Sequence, residues 1–179
     1  NPGLLVSGYG SVGLPLATRD AEAIAHLCKR SPFGKGAETL VDETVRKTWE
    51  LDCTEFECQN PEWPSYLAQI GQQATAALGV KVPFRIDGYK LLLYEEGAFF
   101  KAHKDSEKTK GMFGTLVVCL PSEHSGGEVR LVQGNKEEVL RTAPFSQHGL
   151  SCLAWYSDVQ HEIDPILSGY RLVLTYNLV

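Results

Sequence analysis

With 179 residues, of which 43% are hydrophobic, the chain is long enough to bury a core without help from metal ions or disulfides. Seventeen basic and 22 acidic residues give a net charge of −5, which excludes an overall positive field that would recruit nucleic acid or anionic lipid. No apolar run approaches the roughly 20 residues that cross a bilayer. These features predict a single domain over residues 1–179, with neither nucleic acid nor membrane as a partner.

The number and spacing of the cysteines indicate the redox state of the compartment. They are odd in number and lack CxxC spacing, which is typical of reduced thiols rather than of a disulfide framework or a zinc site. A bridge between Cys53 and Cys58 stays open as an alternative. Because the chain begins at Asn1 rather than at Met, a targeting segment removed by processing is compatible with the sequence. We expect an intracellular protein, in the cytoplasm or nucleus.

The first motif in chain order is Gly8-x-Gly10-x-x-Gly13, the spacing of a dinucleotide-binding turn. A nicotinamide dehydrogenase is therefore one alternative. That motif needs a strand before it, a helix after it and a second parallel strand that ends in an acidic residue about 20 positions on. Here the candidate strand is only residues 4–7, and residues 31–36 form a breaker-rich loop. We interpret the glycines as flexible positions between a short entry strand and the first helix.

Two helices follow in the first half of the chain. Helical spacing of apolar residues predicts the first over 19–29, capped by Thr18 or Asp20. The second is predicted from a cap at Asn60, with Pro61 in the first turn, to a stop at Gly79. Its apolar stripe consists of Trp63, Tyr66, Leu67, Ile70, Ala74, Ala77 and Leu78.

After residue 80 the apolar period changes to that of strands separated by turn residues. The predicted strands are 82–94, 98–103, 112–120, 127–133, 136–141, 151–156, 159–163 and 170–178. Eight strands without an intervening helix predict an antiparallel barrel or a double-sheet jelly roll, with the helices packed on one face. The fold is thus predicted to be mostly β, with helical support and entry strands in 1–80 and a jelly-roll core in 81–179.

Three side chains in this core form a candidate metal site. His103 and Asp105 are two residues apart on an extended segment, so the imidazole and the carboxylate share a face. Such a pair alone is more often a solvated His and Asp at the end of a strand. His161 supplies a third candidate ligand, and two histidines with one carboxylate leave three coordination positions open, which suits Fe(II) oxygen chemistry.

An arginine follows on the last predicted strand. Arg171 stands among apolar residues, where a guanidinium is costly unless an anion pairs with it. Thr175 lies four residues further on and shares its face, so its hydroxyl can add a donor to that anion. The two residues predict a site for a carboxylate.

Together these positions resemble the Fe(II)- and 2-oxoglutarate-dependent oxygenases, in particular their prolyl 4-hydroxylase-like branch. The resemblance covers residues 86–178 and rests on motifs in the expected order: Tyr-x-x-Gly before His-x-Asp, Ser-Gly-Gly-Glu-Val-Arg at 125–130, His-Glu-x-x-Pro, and Arg four places before Thr. It implies a double-stranded β-helix, a distorted jelly roll of cupin-like form, flanked by helices.

The resemblance also implies roles for single residues. His103, Asp105 and His161 would be the ligands of Fe(II), and Arg171 would bind the distal carboxylate of 2-oxoglutarate with the help of Thr175. The other implied cosubstrate is O2, and ascorbate is an additional candidate cofactor.

Further positions match the family in part. Tyr94 matches a tyrosine whose hydroxyl reaches the cosubstrate, although a core aromatic is an equal alternative, and Val129 would contribute to the apolar wall of the pocket. Two positions depart from the family. Val173 stands where many relatives carry a small hydroxyl residue, and Cys119 stands where some place a tyrosine.

The implied reaction is the hydroxylation of a C–H bond, in a prolyl or other residue of a protein or peptide. The negative net charge favours a basic or neutral peptide as the partner. A small-molecule hydroxylase of the same chemistry shares every motif, and a barrel used only for protein binding is a further alternative.

Overall fold

The computed structural model describes residues 1–35 and 38–179 of the chain. Within these ranges lie two α-helices, α1 (Thr18–Leu27) and α2 (Trp63–Ala77), and a short 3-10 helix (Ala143–Phe145). The strands, in chain order, are β1 (Leu4–Val6), β2 (Gly10–Ser11), β3 (Lys29–Arg30), β4 (Phe33–Lys35), β5 (Glu38–Leu40), β6 (Arg46–Lys47), β7 (Trp49–Asp52), β8 (Phe56–Cys58), β9 (Ile86–Tyr94), β10 (Phe99–His103), β11 (Gly114–Cys119), β12 (His124–Gly126), β13 (Val129–Gln133), β14 (Lys136–Leu140), β15 (Ser151–Tyr156), β16 (Gln160–Ile163), β17 (Ile166–Gly169) and β18 (Arg171–Leu178).

Two antiparallel sheets form the core. The larger sheet has the order β15-β11-β18-β9-β7-β3, and the smaller has the order β14-β13-β16-β10-β6. From β9 to β18 the chain crosses repeatedly between the two sheets, except at the hairpin of β13 and β14, which stays in the smaller sheet, and at β12 and β17, which pair with each other. This is the double-stranded β-helix, and the prediction of a mostly β fold with that core is confirmed.

The side chains of β18 show how the larger sheet separates two apolar clusters. Leu172 and Leu174 point to the outer face, where they pack with residues of α1 and α2. Val173 points to the inner face, between the two sheets. Because side chains alternate along a strand, one buried strand supplies both the helix-packing surface and the wall of the interior.

The helices are placed much as predicted, but their caps are not. The residue before α1 is Ala17 and no side chain caps that end, so the predicted cap by Thr18 or Asp20 is wrong. Asp20 is buried instead and accepts a 2.7 Å hydrogen bond from the hydroxyl of Tyr9. Asn60 does bond to the backbone N–H of Glu62, at 3.0 Å, but in a turn that precedes α2.

Gly8 and Gly10 lie at the hairpin between β1 and β2. Every strand pair in the described part of the chain is antiparallel, so the parallel unit that a dinucleotide site requires is not formed there. The cysteines are free thiols, and Cys53 and Cys58 are not bridged. Among the described residues, neither helix has the length and apolar character that a membrane span needs.

Candidate active site

The two candidate histidines meet because of strand register. His103 ends β10 and is the direct partner of His161 on the neighbouring antiparallel strand β16, next to an irregularity in the pairing at Phe100. Asp105 follows two residues after β10. Strand pairing therefore joins residues 58 positions apart in the chain, and their ligand atoms all lie within 4.8 Å of one another.

Each imidazole is oriented by a backbone carbonyl. The Nδ1 of His103 lies 2.8 Å from the carbonyl oxygen of Lys101, and the Nδ1 of His161 lies 3.1 Å from that of Val159. A carbonyl oxygen can only accept, so both Nδ1 atoms carry the proton. The Nε2 atoms are left as lone-pair donors.

The two oxygens of the Asp105 carboxylate have different surroundings. Its Oδ2 accepts hydrogen bonds from the hydroxyl of Thr115, at 2.7 Å, and from the indole N–H of Trp155, at 3.1 Å. Its Oδ1 lies 3.7 Å from the Nε2 of His161. Two imidazole nitrogens and one carboxylate oxygen thus converge with their other polar atoms satisfied, a donor set that fits Fe(II) with open positions.

Aromatic rings surround the imidazoles. The ring of Phe100 stacks on that of His103 with centroids 3.5 Å apart, and the Trp155 ring centroid lies 4.8 Å from that of His161. Burial, and the proximity of His161, lower the pKa of His103 to about 4. The neutral imidazole that a metal ion requires is therefore the stable form of His103 at neutral pH.

A cavity of about 690 Å³ lies between the sheets and contains all three side chains. Its walls come from the inward-facing residues of the core strands. The apolar part of its lining includes Leu92, Tyr94, Phe100, Met112, Val117, Trp155, Ile163 and Val173.

Arg171 lies in the cavity wall with 1% of its surface exposed. Its Nη2 donates to the thiol sulfur of Cys119 at 3.5 Å, and its Cζ lies 5.3 Å from the centroid of the Tyr94 ring. Its Nε has no partner, and among the described residues Arg171 forms no ion pair. A buried guanidinium without a counter-charge fits an anionic ligand such as a dicarboxylic acid.

The remaining predicted site residues lie in different surroundings. Thr175 lines the cavity, but its hydroxyl donates to the carbonyl of Lys90 at 3.0 Å and accepts from the N–H of Lys90 at 3.1 Å. Tyr94 is buried and lines the cavity beside Arg171. Val129 is fully buried in the inner apolar cluster and is not among the residues that line the cavity.

The comparison with protein families agrees with this geometry. The model of the 2OG-Fe(II) oxygenase superfamily matches residues 89–179, half of the chain, and that range contains every predicted site residue. The chain belongs to this superfamily. It is therefore a dioxygenase that depends on 2-oxoglutarate, and the family implies Fe(II) and O2 as well.

Solved structures place this oxygenase near the prolyl 4-hydroxylases. A prolyl-4-hydroxylase from Pseudomonas putida is 27% identical, with a TM-score of 0.53 over 89% of this chain and 79% of that chain. Two more distant structures share the fold. One is a 2OG-Fe(II) oxygenase family protein from Burkholderia pseudomallei, which is 16% identical with a TM-score of 0.54 over 98% of this chain and 84% of that chain. The other is a prolyl hydroxylase from Trichoplax adhaerens in complex with a hypoxia inducible factor peptide, which is 15% identical with a TM-score of 0.59 over 99% of this chain and 84% of that chain. A comparison with curated protein sequences finds no match.

Several residues of the oxygenase site are not predicted by the sequence motifs. Thr115 and Trp155 hold Asp105 because they are direct partners across β11 and β15 and both face inward. Arg46 and Lys90 also line the cavity. A polar residue on the inward side of an apolar strand is a signal that could have identified Thr115, whereas Arg46 comes from a two-residue strand that has no periodicity.

Proposed function

We propose that this oxygenase hydroxylates a C–H bond of a prolyl or other residue in a polypeptide, using Fe(II), 2-oxoglutarate and O2. The observation that carries the proposal is one cavity that holds both the His103, Asp105 and His161 cluster and the buried, unpaired Arg171. The similarity to the Pseudomonas putida prolyl-4-hydroxylase supports the choice of reaction, and the peptide in the Trichoplax adhaerens structure supports a polypeptide substrate.

The three clustered side chains would hold Fe(II) through the two Nε2 atoms and the Oδ1 of Asp105. Bound there, the metal would supply the activation of O2 that is coupled to oxidative decarboxylation of 2-oxoglutarate to succinate. Arg171 would fix the distal carboxylate of 2-oxoglutarate in a buried setting, where charge pairing is strong. The rings of Phe100 and Trp155 line the cavity and would limit the access of water to the oxidised carbon.

The supporting roles follow from position. Tyr94, beside Arg171, would donate its hydroxyl to the same carboxylate, and Val129 would support the apolar wall from behind. Thr175 would assist Arg171 only after its proton turns away from the carbonyl of Lys90, with which it is bonded in this structure. Ascorbate would act as a reductant that restores Fe(II) between turnovers.

Anaerobic titration with Fe(II) and 2-oxoglutarate tests the proposal. We expect the weak visible charge-transfer band of the iron chelate in the wild-type protein, and its loss in H103A and in D105A. H148A is the matched control, because His148 is exposed and does not line the cavity. A wild-type protein without the band, or an H103A protein that retains it, would contradict the proposal.

Admission of O2 then tests catalysis. The oxygenase should convert 2-oxoglutarate to succinate, and a proline-containing peptide library should gain the mass of one oxygen atom. A barrel that serves only for protein binding would bind peptide without forming succinate, even in the presence of ascorbate.

A further inference from the structure

The cavity wall carries more positive charge than the cosubstrate needs. Its lining has one carboxylate, Asp105, and five cationic side chains: Arg46, Lys90, Lys104, Lys108 and Arg171. Lys90 forms ion pairs with Glu50, which is fully buried, and with Asp52. With Arg171 assigned to 2-oxoglutarate, the three others, Arg46, Lys104 and Lys108, have no partner of opposite charge in the described part of the chain.

Arg46 is the most firmly held of the three. It lies on β6, at the edge of the smaller sheet, directly opposite Phe100 on β10. Its Cζ lies 4.5 Å from the centroid of the Phe100 ring, and its Nη1 donates to the carbonyl of Pro32 at 2.7 Å. Because Phe100 stacks on His103, a single aromatic ring separates this guanidinium from the metal ligands.

The charge of Arg46 is not satisfied inside the protein. Its Nε is buried without a hydrogen-bond partner, and no ion pair of Arg46 occurs within residues 1–35 and 38–179. A guanidinium that is fixed in place and has unused donors is suited to bind a carboxylate, with two parallel hydrogen bonds where geometry permits.

Lys104 and Lys108 extend the same charge to the surface. Both are exposed, and both lie in the segment that follows His103. Lys108 donates to the hydroxyl of Ser106 at 2.6 Å, and neither lysine has an ion pair among the residues that the structure describes. The positive charge therefore extends from Arg46, which is half-buried in the cavity wall, to Lys104 and Lys108 at the exposed rim. An extended peptide can contact both regions, whereas an enclosed small molecule cannot.

We propose that the cavity selects polypeptide segments that carry Asp or Glu beside the oxidised residue, with Arg46 as the side chain that binds the acidic group. This inference rests on the proposed function, because it concerns the substrate of the same site. It replaces the expectation, based on net charge, of a basic or neutral peptide. Most acidic residues of the chain lie outside the cavity lining. Because salt screens distant charges, a bound peptide is affected mainly by the charges that line the cavity.

Binding of three fluorescent peptides measures the selectivity. The peptides share a length and a central proline, and their flanks are Asp and Glu, Asn and Gln, or Lys. Anisotropy is measured anaerobically on protein loaded with Fe(II) and 2-oxoglutarate. We expect the acidic peptide to bind about tenfold more tightly than the amide peptide, or better, since a hydrogen bond to a charged group is about twice as strong as one to a neutral group. The advantage should shrink as salt is added.

Variants assign the effect to Arg46. R46Q should weaken binding of the acidic peptide about tenfold and leave the amide peptide unaffected. R46E should favour the Lys peptide. R141Q is the matched control, because Arg141 is an exposed arginine outside the cavity whose loss changes the net charge equally.

The outcomes separate this inference from the proposed function. A missing charge-transfer band in the wild-type sample contradicts the proposed function. A normal band with equal binding of the three peptides, or with no binding of any, overturns only the acidic selectivity, and R46Q behaviour like wild type overturns the role of Arg46. If N-acetylaspartate competes as well as the acidic peptide does, the rim binds small carboxylates and the polypeptide part is wrong.

Discussion

At the scale of the residue, Asp105 has one oxygen fixed by hydrogen bonds and one that faces the candidate metal position. One oxygen is bonded to Thr115 and Trp155, and the other is left facing the imidazoles. A carboxylate that is fixed by two donors loses little rotational freedom when an ion binds. The two donors are therefore expected to contribute to metal affinity without touching the metal.

Replacing both donors tests that contribution. The double variant of T115V and W155F should lower Fe(II) affinity about 10- to 100-fold, because Asp105 then rotates freely. Calorimetric titration with Fe(II) or Mn(II) measures the change. T115S should retain most of the affinity because it keeps the hydroxyl, and T54V, at an exposed threonine, should change nothing. Unchanged affinity in the double variant would show that Asp105 does not need its partners.

Arg171 differs from Asp105 because it is buried and has no partner of opposite charge among the described residues. In R171M the ligand-free protein should be as stable as wild type or more stable by about 1–4 kcal/mol, because an apolar side chain of similar length replaces a buried charge. The Kd for 2-oxoglutarate should nevertheless rise about 100-fold or more. Urea unfolding and ligand titration measure the two effects. A marked loss of stability in ligand-free R171M would refute a guanidinium reserved for the ligand.

At the scale of the element, β9 and β18 set the composition of the cavity. The pairing of these strands shifts between Thr175 and Tyr176, so that Tyr89 is an extra residue on β9. As a result Tyr89 and Lys90, which are neighbours in sequence, both line the cavity. The bulge places a cation and an aromatic ring where regular alternation would place only one side chain.

The short pair of β12 and β17 depends on a close approach of backbones. Gly169 has φ +75°, and a Cβ there would lie 2.1 Å from the carbonyl oxygen of Glu123. G169A should therefore lower the free energy of unfolding by about 2 kcal/mol more than G134A does. Gly134 has φ +59° but nothing within 4 Å, so it isolates the backbone cost. Equal urea midpoints for the two variants would contradict a steric role for the glycine.

The elements that the sequence predicts are those with a sustained period. Apart from β12 and β17, the strands from β9 to β18 follow apolar runs or alternating apolar residues, and the predicted boundaries agree to within a few residues. The strands β12 and β17 are missed because they consist of a few small or turn-forming residues. Strands of two residues such as β6 carry no periodicity, and their pairing with a distant partner depends on register that only the folded chain defines.

The same distinction applies to the site. His103, Asp105, His161 and Arg171 are predicted because each breaks the pattern of its strand or matches a motif. The partners of Asp105 and the position of Arg46 result from strands that meet in space. The sequence thus predicts the candidate ligand residues more readily than the residues that hold those side chains in place.

At the scale of the whole molecule, buried histidines couple stability to pH. Burial and the proximity of His161 lower the pKa of His103 from the usual 6.5 to about 4, and burial also lowers the pKa of His124. Between these values the unfolded chain binds more protons than the native state does. The stability of the metal-free protein should therefore fall as the pH drops from about 6.5 towards 4.

Urea unfolding at a series of pH values, with a chelator present, measures this dependence. H103Q should flatten the slope between pH 6.5 and 4 without abolishing it, because His124 still titrates. H148Q, at an exposed histidine, should leave the slope as it is in wild type. If the stability of H103Q depends on pH in the same way as that of the wild-type protein, His103 does not cause the pH dependence.

The location of β6 at the outer margin of the smaller sheet has an evolutionary consequence. Three of the four residues proposed to hold the metal ion and 2-oxoglutarate, His103, His161 and Arg171, lie on inner strands of the two sheets, where a change would disturb the fold as well as the site. Arg46 belongs to a peripheral strand that pairs with one neighbour over two residues, so a substitution there breaks no backbone pairing between the inner strands. If Arg46 binds the acidic group as proposed, target preference can therefore change at the border of the sheet while His103, Asp105 and His161 stay as they are.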